Sequence, residues 1–79
     1  MISDPLAGEL LREARGKMSL SLEDVAKITR VSSRYLEALE LGDLTVLPSR
    51  VHALGFARAF ARAVGADEEA VVNLIKADV

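Results

Sequence analysis

The chain has 79 residues, 51% of them hydrophobic, and a formal net charge of −2. A chain this short makes one domain and buries only roughly 60% of the surface its unfolded form exposes, so its core is thin. With no cysteine it has neither disulfides nor cysteine-ligated zinc to staple it, no apolar run approaches the ~20 residues that span a bilayer, and no basic segment followed by an apolar one marks a signal peptide.

Asp4 and Pro5 read as an N-cap followed by proline at the first helical position, where its missing N–H costs nothing. Leu6, Leu10, Leu11 and Ala14 follow at helical spacing and Gly16 closes the element, which gives a first helix over about 5–15. Ser21 caps the second, with Asp24 three residues on to complete a capping box, and Val25, Ala26 and Ile28 on its apolar side. The pattern breaks at Thr29-Arg30-Val31. Ser32 offers a second N-cap, and Tyr35, Leu36 and Leu39 form the stripe of a third helix that stops at Gly42. Two capped helices, about 22–29 and 33–41, with a three-residue joint make a helix-turn-helix, and Ala26 is the small residue its packing needs.

The connector from Gly42 to Pro48 carries Leu44 and Leu47, which tuck under the helices; Pro48 and the lack of a pairing partner argue against a strand. A fourth helix covers about 49–64 and contains Gly55, costing about 1 kcal/mol relative to alanine unless something approaches the backbone there. Gly65 ends it. Asp67 caps a fifth helix over about 68–77, with Glu68 and Glu69 in its positive first turn and Val71, Val72, Leu74 and Ile75 on its apolar side. The expected core is Leu10, Leu11, Val25, Ala26, Ile28, Leu36, Leu39, Leu47, Ala57, Phe60, Ala61 and Leu74. The chain is thus expected to be one all-α domain over residues 1–79, a five-helix bundle.

Nothing in the sequence assembles a catalytic site. His52 is the one histidine, the serines are explained by capping, and there is no phosphate-binding glycine loop, so neither enzyme, metal nor cofactor is expected. Two surfaces remain. The third helix is expected to present Ser32, Ser33, Arg34, Glu37 and Ala38. Arg34 suits guanine and the serines suit phosphate, but Glu37 and Glu40 oppose a polyanion. DNA-reading versions of the motif usually place glycine in the joint, so Arg30 either takes a left-handed backbone at a cost or sits in a reshaped turn. The fourth helix offers the other surface. No acid lies between Leu44 and Ala66, whereas Arg50, Arg58 and Arg62 do. Arg58 and Arg62 share a face, with His52, Gly55 and Ala59 beside it and Phe56 on the flank. An aromatic anchor rimmed by positive charge suits an acidic protein surface.

The order and spacing of Leu11-Arg12-Glu13-Ala14-Arg15, Leu20 to Ala26, Tyr35 to Glu40, Gly42-Asp43, Leu47-Pro48 and Gly55 to Ala61 resemble the cytoplasmic N-terminal domain of the RodZ family of bacterial cell-shape proteins. Arg30 is similar to the basic residue that family carries in the joint. The resemblance implies a lambda-repressor-like five-helix fold related to phage-repressor-type DNA-binding domains. It implies binding to the bacterial actin MreB through the fourth helix and its surroundings, at the cytoplasmic face of the inner membrane. The family's aromatic pair falls on Phe56 and Phe60; Phe60 replaces a more usual tyrosine, and His52 stands where an aromatic is common. The partner surface implied here is His52, Phe56, Arg58, Ala59, Phe60 and Arg62. Family members continue through a linker and a transmembrane helix, so this chain is expected to be a cut-out domain or a stand-alone relative. The resulting expectation is a non-enzymatic cytoplasmic adaptor, with a sequence-specific DNA-binding regulator as the alternative.

Overall fold

Each helix ends where the sequence supplies a partner for its last peptide groups. A computed structural model describes residues 6–78, and the cap expected at Asp4 and Pro5 lies outside them. The element order is α1 (Leu6–Lys17), α2 (Leu22–Thr29), α3 (Ser33–Leu41), a 3-10 turn (Leu44–Val46), α4 (Arg50–Val64) and α5 (Glu68–Asp78), with no strand among the described residues. Helix α2 starts in the expected capping box: Ser21 Oγ accepts from the Asp24 N–H at 3.0 Å, and Asp24 Oδ2 accepts from the Ser21 N–H at 2.9 Å. Ser32 and Ser49 cap α3 and α4, and Asp67 accepts from the Ala70 N–H at the start of α5. Gly42 and Gly65 close α3 and α4 in left-handed conformations.

One end differs from the sequence reading, and a second settles an alternative it left open. Helix α1 runs through Gly16 to Lys17, and the left-handed residue is Ser19 at φ 56°. The Leu20 N–H donates to the Arg15 carbonyl and the Ser19 N–H to the Gly16 carbonyl, so the last carbonyls of α1 are satisfied around a serine. Arg30 resolves the question of the joint: it takes φ 64°, ψ 23°, and its N–H donates to the Ala26 carbonyl at 2.8 Å. A left-handed non-glycine residue costs roughly 1–2 kcal/mol, and the extra unfolded-state entropy of glycine offsets roughly 0.5–1 kcal/mol of that. Arg30→Gly is therefore expected to raise stability by about 0.5–1 kcal/mol, read as a rise in Tm of a few degrees; a lower Tm would mean the joint is not left-handed.

The core comprises Leu11, Val25, Val31, Leu36, Leu39, Leu47, Ala53, Ala57, Phe60, Ala61, Val64, Val71 and Ile75, which closes between all five helices. Helix α2 packs on α3 and α4, α1 lies across α3, α4 and α5, and α4 with α5 forms the most extensive pairing. Leu44 and Leu47 do tuck under the helices, through the 3-10 turn that the sequence reading left as a plain connector. Ala26 is half-buried and packs against this core, and three other expected core residues sit elsewhere. Ile28 is 57% exposed and Leu10 is 37% exposed. Leu74 is only half-buried, at the edge of the sector in which Val71, Val72 and Ile75 point inward. Each of the three lies on the shoulder of its apolar stripe, and a thin bundle has no further element to cover that shoulder.

Gly8, which periodicity did not single out, is where α1 crosses α3. A Cβ there would fall on the Glu40 carbonyl group and 2.8 Å from the Leu39 carbonyl oxygen. Two turns further along α1, Arg15 grips the same region. Its Nε and Nη2 donate to the two Glu40 carboxylate oxygens at 2.6 and 3.0 Å, and Nη1 donates to the Leu20 carbonyl at 3.0 Å. The hydrogen bonds that Arg15 donates to Glu40 hold its guanidinium above its ordinary pKa. Glu40 is therefore turned against α1 and does not face a ligand of α3.

Candidate functional site

Helix α4 is long enough, at 15 residues, to bury one side and present another. Ala53, Ala57, Phe60, Ala61 and Val64 form the buried side. Val51, His52, Gly55 and Arg62 are exposed, with Phe56, Arg58 and Ala59 half-buried at the margins. The N-cap fixes the first of these. Ser49 Oγ accepts from the His52 N–H at 3.1 Å and lies 2.7 Å from His52 Nδ1. The serine hydroxyl can donate to Nδ1 or accept from it, so this contact fixes the ring's position in either tautomer.

The His52 ring meets Phe56 at a tilt, centroids 5.5 Å apart, and Phe56 stacks on Tyr35 of α3 at 5.5 Å with the planes 19° apart. Three rings from two helices make a continuous ledge. The sequence reading counted Tyr35 only as part of the α3 stripe. Its half-buried position and its contact with Phe56 put it on the surface as well; an aromatic with a polar tip at the edge of a stripe is the signal that was available. Beside the ledge, Val51 is 77% exposed. Gly55 has nothing within 4 Å of where its Cβ would stand, so no contact inside the domain explains a glycine in mid-helix.

Two expected features of this face are corrected. Phe60 is fully buried, because it lies on the side of α4 that faces the core, so it is not part of the surface this helix presents. The basic face of Arg58 and Arg62 is neutralised by α5. Arg62 Nε and Nη2 donate to the two Glu68 oxygens at 3.0 and 3.1 Å, while Arg58 Nη1 lies 3.8 Å from Glu68 and 3.9 Å from Glu69. Hydrogen bonds from Arg62, and then the charges of Arg62 and Arg58, hold the Glu68 carboxyl below the ordinary glutamate value. A lowered folded pKa stabilises at pH above the unfolded value, and that contribution disappears as pH falls through the folded one. Glu68→Gln is thus expected to melt below the parent at neutral pH and to converge with it in acid; a deficit that persists unchanged in acid would show the clasp is not ionic.

On α3, Ser32 accepts from the Arg34 N–H at 3.2 Å as the cap, Ser33 is half-buried, and Arg34 and Glu37 are exposed. Ala38 is 4% exposed, a correction to the expected reading face: one residue beyond Glu37 is about 100° further round the helix, which turns it into the bundle. Among the described residues there is no cluster of side chains able to hold a metal ion, and no helix is long and apolar enough to cross a membrane.

Comparison with known proteins finds a family described as a helix-turn-helix domain matching residues 10–71. The chain is 38% identical over 66 residues to the cytoskeleton protein RodZ of Streptococcus pneumoniae, covering 84% of this chain and 24% of that protein. It is 33% identical over 60 residues to the uncharacterized membrane protein YmfM of Bacillus subtilis, covering 76% of this chain and 21% of that protein. The chain therefore spans less than a quarter of the length of these relatives. No solved structure matches it.

Proposed function

The chain belongs to this helix-turn-helix domain family and is RodZ-like, and from that premise we propose that it is a non-enzymatic adaptor in cell-shape determination that binds a bacterial actin of the MreB kind through α4. The observation that carries the reading is the α4 surface itself: an aromatic ledge, with His52 exposed and Phe56 and Tyr35 half-buried, next to a glycine with open space over it. A helix interior that forgoes alanine's roughly 1 kcal/mol advantage gains nothing for the isolated domain; a partner chain approaching closely at Gly55 accounts for it. The relative named as a cytoskeleton protein and the one named as a membrane protein support the same setting, at the cytoplasmic face of a membrane. Phe56 with His52 and Tyr35 supplies the apolar anchor, and Arg50, exposed and without an ion pair among the described residues, supplies positive charge. Arg62 is exposed and its pair with Glu68 is the kind that opens at little cost, so it can exchange Glu68 for a carboxylate of the partner.

The test is co-sedimentation and titration with polymerised bacterial actin. Phe56→Ala is expected to weaken binding by about 2 kcal/mol, roughly thirtyfold. Gly55→Ala is expected to stabilise the free domain yet weaken binding, a combination that a purely structural glycine does not produce. Folded variants that both bind like the parent would remove α4 as the interface. Sequence-specific reading of DNA is less well served. With Ala38 buried, α3 offers Arg34 and two serines for base or phosphate contact, and Glu37 sits among them.

A further inference from the structure

The joint between α2 and α3 carries a surface that the α4 reading does not use. From Val25 to Leu36 the sequence holds Lys27, Arg30 and Arg34 and no acidic residue. All three are exposed, and none forms an ion pair among the described residues, whereas Arg15, Arg58 and Arg62 are all held by carboxylates. The nearest acids are largely committed elsewhere: Asp24 to the capping box and Glu40 to Arg15. Glu23 and Glu37 remain, one turn away on either side. Along the chain, Ile28 stands between these cations, a large apolar side chain 57% exposed. Arg30 keeps its charge at a left-handed position where glycine would be less strained.

We propose that this joint docks the domain onto an anionic phospholipid surface. Ile28 enters the boundary between headgroups and acyl chains, and Lys27, Arg30 and Arg34 lie among the phosphates. The isoleucine decides between lipid and nucleic acid. Against the phosphates and sugars of a duplex backbone it gains little, whereas at the headgroup boundary its exposed surface leaves water. Each cation close to a negatively charged leaflet strengthens binding about fivefold, and three together about a hundredfold. One apolar side chain adds little more, so the contact is weak and reversible. It orients a domain already near the membrane and does not anchor it.

Vesicle co-sedimentation tests this, with phosphatidylcholine alone against phosphatidylcholine mixed with phosphatidylglycerol, at low and high salt. The expected result is binding to the anionic vesicles only, suppressed by salt. Removing the three charges as Lys27→Gln, Arg30→Gly and Arg34→Gln is expected to lower partitioning about a hundredfold, and these replacements suit their backbone positions, so the variant melts no lower than the parent. Ile28→Ser is expected to lower it by a factor of about five. Phe56→Ala leaves vesicle binding unchanged, so failure here and failure of the α4 interface are separate results. Folded parent protein that ignores anionic vesicles at low salt overturns the proposal. So does Ile28→Ser binding like the parent while mixed-sequence duplex DNA strips the protein from the vesicles, which would assign the joint to nucleic acid.

Discussion

Gly8→Ala is expected to destabilise the domain by at least 2–3 kcal/mol, roughly the upper end of what overpacking a well-packed core costs, and to lower Tm by roughly 10–20 °C. The methyl group has nowhere to go, because what it meets is backbone: the Glu40 carbonyl group and the Leu39 carbonyl oxygen. A side chain could rotate away; the end of α3 has to move. Gly8, Leu11 and Arg15 fall at i, i+3 and i+7, so all three face α3 together. Lifting α1 at Gly8 therefore loosens Leu11 from the core and draws Arg15 away from Glu40, and the losses compound. The control is the same substitution at the other helical glycines. Gly16 and Gly55 have nothing within 4 Å of a Cβ, so alanine there is expected to stabilise by up to about 1 kcal/mol. Thermal melts of the three variants should split in sign. A Gly8→Ala domain that melts with the parent would mean α1 and α3 do not cross at that point.

What was legible in the sequence was local. Capping oxygens at Ser21, Ser32 and Ser49, and glycines at 42 and 65, act within a few residues of themselves, so α2, α3 and α4 stand within a residue of where the sequence puts them. What escaped depends on which element lies opposite. Nothing in the neighbourhood of Gly8 says that the carbonyls of residues 39 and 40 will rest on it. Nothing near Glu40 says that Arg15, 25 positions away, will turn it inward. The same holds for the α4 surface: Arg58 and Arg62 form a basic face by spacing, but the carboxylates that neutralise them belong to α5. Ile28 and Leu10 show the complementary error. Helical periodicity identifies an apolar stripe but not its width, and in a bundle this small the stripe is covered only at its centre.

The two phenylalanines of α4 should separate folding from binding. Phe60 is among the largest fully buried side chains, with no exposed surface. Truncating it leaves a cavity in the core it shares with Leu11 and Val25, and Phe60→Ala is expected to cost about 3–5 kcal/mol. A domain of this length has roughly 4–12 kcal/mol of stability in all, so the variant is at best marginally folded. Phe56 is half-buried and loses chiefly its ring contacts with Tyr35 and His52, so Phe56→Ala should cost only about 1–2 kcal/mol of stability. Urea titrations give both figures, and equal losses would contradict the inward and outward placement of the two rings. The same pair makes the binding experiment readable. A binding defect of Phe60→Ala reflects its unfolded fraction and says nothing about contact. Phe60→Leu, which keeps most of the core volume, is expected to lose about 1–1.5 kcal/mol of stability and to bind the partner as tightly as the parent once corrected for folding. A Phe60→Leu domain that stays folded and yet binds tenfold more weakly would show that residue 60 reaches the partner, and that α4 rotates or α5 opens when the complex forms.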